Sequence, residues 1–530
     1  MNKRCVFVLI FSLLLAVPVV MAQSSSSCTS VTPSNNAFTA ALTGTGISGS
    51  PNGFANVSFG LNGTQATINA TSLGLGNNIT GLTLFQGTPG TLGAIPVQTF
   101  TTSANGFNNG RFTATMALDQ NTINQIQANP GNFFFVINTT QFPSGAVAGT
   151  LMPSRPQVIA GTLNGSSLNG GSTLGTGSFV FTVGPSNGSG NVPLNFDIAT
   201  FGLGNGFNSL QLLPAGGGSP LVVFGNNSTA NNGRLTGSTT ISSTLANQLL
   251  ANPCSFALTL STPTFPNGAV TGNLSAGNEV FIPVVGSATG VGGTNFQTDL
   301  SIFNNSAIGL TDQSANANAF VQFFPTGNGN TTSAVGASSV TALNVAPRGT
   351  TTLRDITSSM FNGSINGIGA LRIVSAGTVF ANARIYNNQI SNGRGTLGQF
   401  EPGMFRSQAL TQGVLVGLGN VSSGSNLANG QSFRTNIGFF NPNDTATTVA
   451  LELRDSAGNV MSSRTITLGA LAHTQMPISG ANGLFPDVNA DFATSSAFFL
   501  SGAPIFTYAS IVDNISGDAS FVTPSSQTQQ

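Results

Sequence analysis

The chain contains at Gly110–Leu151 the stretch GRFTATMALDQNTINQIQANPGNFFFVINTTQFPSGAVAGTL, and at Gly233–Leu274 it contains GRLTGSTTISSTLANQLLANPCSFALTLSTPTFPNGAVTGNL. The two copies lie 123 residues apart, align without a gap and share 17 of 42 residues, against about three expected by chance at average residue usage. A repeat of this length corresponds to a whole domain rather than to one unit of a solenoid. The sequence therefore predicts two tandem domains of one kind.

Each copy predicts a strand followed by a short helix. Gly110–Met116 alternates apolar and polar residues, as a half-buried strand does. Asp119 is the predicted N-cap of the helix and is replaced by Ser242 in the second copy, since both side chains accept hydrogen bonds from free N–H groups. Pro130 and Pro253 then end the two helices.

The last part of each copy predicts two further strands joined by a turn. Asn132–Asn138 is apolar almost throughout, so its own pattern does not assign its faces. The equivalent residues of the second copy alternate, which places Phe133, Phe135 and Ile137 in the core. Phe142–Gly145 has the composition of a turn.

The order of a polar strand, a short helix, ANPG, an aromatic strand and FPSGAV-G-L resembles the end of the CHRD domain, the module named after chordin. The preceding halves, Phe38–Phe100 and Gly161–Phe224, fit this family more loosely, and together the resemblance covers about half of the chain. It implies an immunoglobulin-like β-sandwich in a secreted protein and little about activity.

The resemblance also bears on metal binding, because bacterial CHRD domains often carry a His-x-His pair on a central strand. The matching places hold Thr83 and Phe85 in the first copy and fall near Leu210–Leu212 in the second. Zn or Cu would need imidazole, thiolate or carboxylate ligands there. His473 is the only histidine of the chain, and we predict a loop or half-exposed position for it. We therefore predict no metal site and no cofactor.

A second kind of repeat begins at Val280. Phe296–Asn304 resembles Phe433–Asn441, and Phe380–Asn388 resembles Phe506–Asn514, with a spacing that falls from 137 to 126 residues. Each copy is about as long as one sandwich domain.

The predicted fold class is all-β, with four tandem immunoglobulin-like β-sandwich modules and one short helix in each of the first two. Exposed joints are expected near Arg155, Ala276 and Phe405. The predicted order is a signal peptide at 1–22, a leader at 23–36, CHRD-like modules at 37–154 and 157–275, and β-sandwich repeats at 280–404 and 408–524.

The N-terminus has the pattern of a secretory signal. Lys3 and Arg4 precede the apolar run Val6–Val20, and Val20–Ala22 fits a small-residue cleavage site. The run is short for a membrane span, and no second run of membrane length follows it. We predict export through the Sec pathway to the cell surface or the medium, with no membrane span after cleavage.

Composition excludes several functional classes. Charged residues are 5% of the chain, against about 25% in average proteins. After loss of Lys3 and Arg4 the chain keeps 14 − 2 = 12 basic and 14 acidic residues, a net charge of 12 − 14 = −2. Nucleic-acid binding needs clustered Lys or Arg, and the sequence has no such patch.

Carboxylates are sparse. Between Gln23 and Asn278 only Asp119 and Asp197 occur, so the first half lacks the clusters that a calcium cage or a glycosidase needs. In the second half we predict surface and turn roles, with a weak calcium loop as the alternative, for Asp299, Asp355, Asp444, Glu452, Asp455, Asp513 and Asp518. A serine nucleophile would need a base beside it, and His473 is the only imidazole. We therefore predict no enzymatic activity and no catalytic residue.

Two cysteines remain after signal cleavage, because Cys5 leaves with the signal. Cys28 and Cys254 form a possible disulfide in an oxidising compartment, and the alternative is two unpaired thiols.

Together these features favour an exported, non-enzymatic structural or adhesive protein of the cell surface or extracellular matrix. The alternative is an extracellular carbohydrate- or peptide-binding protein that uses Asn, Gln and aromatic contacts in a loop cleft. In either case we expect an extracellular ligand or surface polymer as partner, of unknown identity, and no nucleic acid.

Overall fold

The fold is that of a computed structural model and is all-β, as predicted. Among the described residues, every ladder between two strands is antiparallel, and the strands fall into four connected groups, which we call the first to fourth units. Several of them are sandwich-like, whereas the immunoglobulin-like topology of four modules stays a prediction. The structure describes residues 37–44, 53–75, 79–89, 94–100, 107, 111–153, 157–165, 168, 175–184, 191–204, 206–226, 234–289, 295–305, 317–327, 340–346, 348–361, 367–375, 379–388, 396–422, 432–443 and 446–526.

The first unit is a nine-stranded arrangement around one core. Its order is β5-β4-β7-β8-β1-β2-β3-β6, and β9 also pairs with β1. Its elements are β1 (Ala37–Thr43), β2 (Phe54–Asn62), β3 (Gln65–Leu73), β4 (Ile79–Gln86), β5 (Ile95–Thr99), β6 (Arg111–Ala117), α1 (Gln120–Ala128), β7 (Phe133–Thr139), β8 (Val147–Thr150) and β9 (Met152–Pro153).

The second unit repeats the first strand for strand. Its order is β14-β13-β16-β17-β10-β11-β12-β15, and β18 pairs with β10. Its elements are β10 (Gln157–Asn164), β11 (Thr176–Val183), β12 (Asn191–Phe201), β13 (Ser209–Pro214), β14 (Val222–Asn226), β15 (Arg234–Ser242), α2 (Ser243–Ala251), β16 (Phe256–Ser261), β17 (Val270–Asn273) and β18 (Ser275–Ala276). The sequence repeat is therefore part of a longer structural repeat.

The helices begin at the predicted caps. Asp119 accepts a hydrogen bond from the backbone N–H of Thr122 at 2.8 Å, and Ser242 accepts one from the N–H of Leu245 at 3.2 Å. Both N-cap predictions are confirmed, and Asn129 is the C-cap of α1.

Strand β7 explains why its sequence was ambiguous. Phe133, Phe135 and Ile137 belong to the core of the first unit, as predicted. Phe134, on the other face, is also buried and stacks on Phe85 with ring centroids 5.3 Å apart. A strand that is buried on both faces has no polar alternation in its sequence.

Backbone geometry explains the glycines of the shared GAV-x-G ending. Gly145 and Gly268 have φ values of 135° and 134°, which L side chains rarely adopt. At Gly272 an added Cβ would lie 1.8 Å from the carbonyl oxygen of Thr162 on β10. Any larger residue there would push β17 away from β10.

The third and fourth units share another strand arrangement. The third unit comprises β19 (Asn278–Thr289), β20 (Asn295–Asn304), β21 (Ala317–Pro325), β22 (Val340–Val345), β23 (Thr350–Leu353), α3 (Ile356–Ser359), β24 (Gly367–Ser375), β25 (Val379–Asn388), β26 (Thr396–Pro402) and β27 (Met404–Phe405). The fourth comprises β28 (Leu410–Asn420), β29 (Phe433–Phe440), β30 (Thr447–Asp455), β31 (Val460–Leu468), β32 (His473–Pro477), β33 (Phe492–Asp513) and β34 (Ala519–Val522).

The pairing shows the correspondence. Strands β22-β21-β24-β19 and β23-β20-β25-β26 of the third unit match β31-β30-β33-β28 and β32-β29-β33-β34 of the fourth. The 22-residue strand β33 takes the places of both β24 and β25. Phe303 lies opposite Phe380, and in the same register Phe440 lies opposite Phe506. The two short motifs repeated in the sequence are thus partners across one ladder in each unit.

The units pack against one another through apolar clusters. Phe54 of the first unit packs with Ala450 and Leu500 of the fourth. The second and third units share Val158, Ala160, Val180, Ala199, Phe320 and Val374. The third and fourth share Phe281, Phe324, Ala370, Phe440, Leu471 and Phe506.

These contacts change the expected joints. Phe405 is part-buried, pairs with Val280 and packs against the core of the third unit, whereas Ser407 and Gln408 directly after it are exposed, so the joint near Phe405 stays a prediction. Ala276 is part-buried and pairs with Ile159, so the joint expected there is also incorporated in a sheet. Arg155 lies outside the described residues.

Candidate functional site

At the positions where the family resemblance implies metal ligands, this chain has side chains that pack against neighbouring residues. Thr83 is buried on β4 and hydrogen-bonds to the hydroxyl of Thr99 at 3.3 Å, while Phe85 stacks on Phe134. Leu210 and Leu212 are buried in the core of the second unit. In the part of the chain that the structure describes, no three His, Cys, Asp or Glu side chains are grouped as a metal site requires.

The candidate carboxylates of the second half divide into turn and buried roles. Asp455 accepts from the backbone N–H groups of Ala457 and Asn459, and hydrogen bonds from Asn459 lower the pKa of Asp455. Asp513 likewise accepts from the N–H of Ile515. These turn roles are confirmed, whereas Asp444 lies outside the described residues.

Asp299 lies beside Asp355 and pairs with the guanidinium of Arg354. Asp299 accepts from the Arg354 guanidinium at 2.8 Å and from the backbone N–H of Asp355 at 2.9 Å. The Tyr386 hydroxyl also donates to Asp299, at 3.2 Å, and burial followed by the charge of Asp299 raises the pKa of Tyr386. Asp299 is buried, so the surface role predicted for it is wrong.

His473 is fully buried at the start of β32, and the prediction of a loop or half-exposed histidine is wrong. Its Nδ1 lies 2.8 Å from the hydroxyl of Thr326, and its Nε2 lies 2.9 Å from the hydroxyl of Tyr508. Burial lowers the pKa of His473 to about 3, so the ring is neutral at physiological pH. A neutral imidazole held by two hydroxyls is a structural hydrogen-bonding group between the third and fourth units.

Glu401 lies beside this group on β26 and is also fully buried. Gln399 donates to its Oε1 at 2.6 Å, while Oε2 has no hydrogen-bond partner in the described residues. Burial raises the pKa of Glu401 to about 8, and the hydrogen bond from Gln399 only partly opposes this shift. Glu401 is therefore a protonated, neutral side chain near neutral pH.

A buried ion network joins three units. Glu279 accepts hydrogen bonds from Nε of Arg372 at 2.7 Å and from both Nε and Nη2 of Arg406. Burial alone would raise the pKa of Glu279, but the two guanidinium charges and their hydrogen bonds lower it to about 2. The carboxylate is therefore charged, and two cations hold it between them.

Both arginines reach beyond their own unit. Arg372 donates to Thr182 of the second unit at 3.3 Å and to Gln322 at 3.2 Å, and Gln322 in turn donates to Asp197 of the second unit at 2.6 Å. Arg406 donates to the carbonyl of Pro442 in the fourth unit at 3.0 Å. We call Asp197, Gln322, Arg372, Glu279 and Arg406 the polar node.

Sequence reasoning passed over the polar node apart from Asp197. A usable signal was present, because Glu279 and Arg406 are isolated charges beside predicted module boundaries in a chain with 5% charged residues. Charges at such positions have to be solvated or paired, and pairing across a boundary is one solution.

A cleft of about 370 Å³ lies between the first and fourth units. Phe498 lines it beside Arg454, whose guanidinium lies 5.6 Å from the ring centroid. Gln412 lines it as well and accepts from the hydroxyl of Thr71 at 2.9 Å. The cleft thus offers one aromatic face together with amide, hydroxyl and charged groups.

A cavity of about 310 Å³ lies between the third and fourth units. Its lining residues are Val284, Gly286, Ala288, Phe296, Ile368, Ile385, Gly398, Gln399, Arg434, Asn436, Gln475, Ser510, Val512 and Ala519. Its wall is mainly apolar, with one cation and four neutral polar side chains.

Cys254 is part-buried and disulfide-bonded. Cys28 lies outside the described residues, so its pairing with Cys254 stays a prediction.

Comparison with the models of known protein families and with curated proteins finds no match for this chain. The CHRD resemblance therefore remains a prediction. Among the described residues, no helix has the length and apolar character needed to cross a membrane.

Proposed function

We propose that this chain is an exported, non-enzymatic structural or adhesive protein whose β-rich units act as one rigid body at the cell surface or in the extracellular matrix. The polar node is the main observation behind this proposal. It connects the second, third and fourth units through charged hydrogen bonds, which are short and directional. Such a node favours one mutual arrangement of the units over others.

Rigidity suits a protein that spaces or attaches other components. Chains of independent domains joined by flexible linkers change shape easily, whereas apolar interfaces between units oppose such motion. Here the second and third units, the third and fourth, and the first and fourth each share buried apolar residues. The expected partner is an extracellular ligand or surface polymer, and not a nucleic acid.

Cell fractionation of the producing cells tests this proposal. A tagged full-length chain is expected in the surface or matrix fraction, and deletion of its gene should weaken attachment of the cells to a surface. A chain found only inside the cells, or deletion without effect on attachment and on matrix composition, would reject the structural role.

A carbohydrate- or peptide-binding function is the second candidate, and the cleft beside Phe498 favours it. Sugar rings stack on aromatic faces, and amide side chains such as that of Gln412 orient their hydroxyl groups. A glycan array separates the two candidates. Selective binding that is lost in Phe498→Ala and retained in Phe400→Ala, an exposed phenylalanine elsewhere, would favour the binding function.

A further inference from the structure

The cavity between the third and fourth units has the size and wall of a small-molecule site. Sites of this kind occupy about 300–1,000 Å³ and combine apolar walls with a few placed polar groups. The cavity measures about 310 Å³, and both units contribute to its wall. Phe296, Ile385 and Arg434 are only part-buried, so the cavity is accessible from solvent.

Arg434 is the only charged residue among the described residues of the wall. Its guanidinium donates to the side-chain oxygen of Asn514 at 2.6 Å, and no carboxylate pairs with it in the described residues. Burial lowers the pKa of Arg434, which means that the surroundings penalise the positive charge without offsetting it. An arginine has five N–H donors, so most of them remain available to a bound anion.

The neutral polar groups of the wall are only partly engaged. Gln399 donates to Glu401 and accepts from Ser510, so both ends of its amide have partners. Gln475 accepts from Tyr508 through Oε1, which leaves its Nε2 available within the described residues. The side-chain amide of Asn436 makes no hydrogen bond to any described residue. Donors therefore lie on the same side as Arg434, on strands of the fourth unit.

We propose that this cavity binds a small amphipathic carboxylate. Its carboxylate pairs with Arg434, and its apolar body lies against Val284, Phe296 and Ile385. A bidentate bond between a carboxylate and a guanidinium offsets the unpaired positive charge. A neutral apolar molecule would leave that charge uncompensated, and a sugar would leave its hydroxyl groups against an apolar wall.

This activity is separate from the structural role, because the polar node and the cleft at Phe498 do not line the cavity. It also differs from the carbohydrate or peptide binding considered above. Since both units line the cavity, a bound carboxylate is expected to stabilise their mutual arrangement.

Isothermal titration of the full mature chain with decanoate and with 1-naphthoate tests the proposal, and 1-naphthamide serves as the neutral counterpart. We expect saturable 1:1 binding of at least one carboxylate and weaker binding of the amide. Arg434→Gln should weaken carboxylate binding at least about tenfold, as loss of a charged hydrogen bond does. Arg348→Gln removes an exposed arginine outside the cavity and should have no effect.

Ala288→Phe fills the cavity from the third unit and should abolish binding while Arg434 is intact. Melting temperatures show whether each variant is folded. If Arg434→Gln does not fold, the proposal is tested by Ala288→Phe and by the comparison of the carboxylate with the amide. Absence of saturable binding of both carboxylates to the unaltered chain would overturn the proposal. So would equal affinity for the amide, or binding that survives filling of the cavity.

Discussion

The side-chain amide of Asn56 donates a hydrogen bond to the main-chain carbonyl oxygen of Ser501 at 2.6 Å, across 445 positions of sequence. Asn56 is buried and also lies 3.3 Å from the carbonyl oxygen of Gly502. Two units that are farthest apart along the chain are therefore neighbours in space. A buried amide with two carbonyl acceptors specifies this contact more narrowly than the apolar residues around it.

Asn56→Ala should loosen the docking of the first unit on the fourth. The carbonyl oxygen of Ser501 would lose its buried donor, which costs about 1–3 kcal/mol. Faster backbone hydrogen exchange around Ser501 and a larger radius of gyration in small-angle scattering are expected. Asn69→Ala, at an exposed position of the same unit, is the matched control. Unchanged exchange and scattering in Asn56→Ala would show that the apolar contacts alone hold the units together.

Glu279→Gln should destabilise the polar node strongly. The substitution leaves Arg372 and Arg406 buried without their counter-charge, and breaking a buried pair in this way costs about 3–5 kcal/mol. Glu452→Gln is the control, because Glu452 pairs with Arg454 near the surface, where about 0–1 kcal/mol is expected. Chemical denaturation at pH 7 measures both. A loss in Glu279→Gln no larger than in the control would contradict the role assigned to the polar node.

The carboxylate of Glu279 also predicts that the free energy of unfolding falls in acid. The folded-state pKa of Glu279 is lowered from 4.5 to about 2. Its contribution is therefore complete above the unfolded-state pKa and is lost as the pH falls from about 4.5 towards 2. Denaturation profiles of Glu279→Gln should show a shallower fall in this pH window than those of the unaltered chain. A parallel fall in both would assign the acid transition to other groups.

Glu401 predicts the opposite pH dependence, in which the free energy of unfolding falls as the pH rises. Its folded-state pKa is raised from 4.5 to about 8, so its neutral form stabilises the fold and stability declines as the pH rises through that window. Between pH 6.5 and 8 the decline should amount to about 2 kcal/mol. Glu401→Gln keeps a neutral hydrogen-bonding group and should remove most of this decline, as followed by denaturant titration at each pH. A variant with the same slope as the unaltered chain would show that Glu401 is ionised in the fold.

Local patterns predicted local structure well in this chain. The cap at Asp119 follows from its place before the helix, the inward positions of Phe133 and Phe135 follow from comparison with the second copy, and the structure confirms both. Reading the two copies together resolved a strand that is buried on both faces and is uninformative by itself.

The contacts between units could not be predicted, because they do not follow any periodic pattern in the sequence. Arg406 reaches Glu279 across 127 positions, and Gln322 reaches Asp197 across 125. The prediction for His473 was wrong because a single histidine gives no repeating pattern from which its burial can be inferred. Its partner Tyr508 lies on another strand, and that proximity exists only once β32 and β33 lie on either side of β29.

The cysteine prediction is testable without any structure of the leader. Cys254 occupies the place that Gly131 has in the first copy, in the turn that leads into β16. A bond from Cys28 would close a loop of 254 − 28 = 226 positions, which stabilises by about 5 kcal/mol in the chain-entropy description. Mass spectrometry of unreduced tryptic peptides should show one species that contains both cysteines, and Cys28→Ser should lower the melting temperature as much as Cys254→Ser. Two Cys254 peptides joined to each other would instead assign the bond to a dimer and contradict the pairing of Cys254 with Cys28.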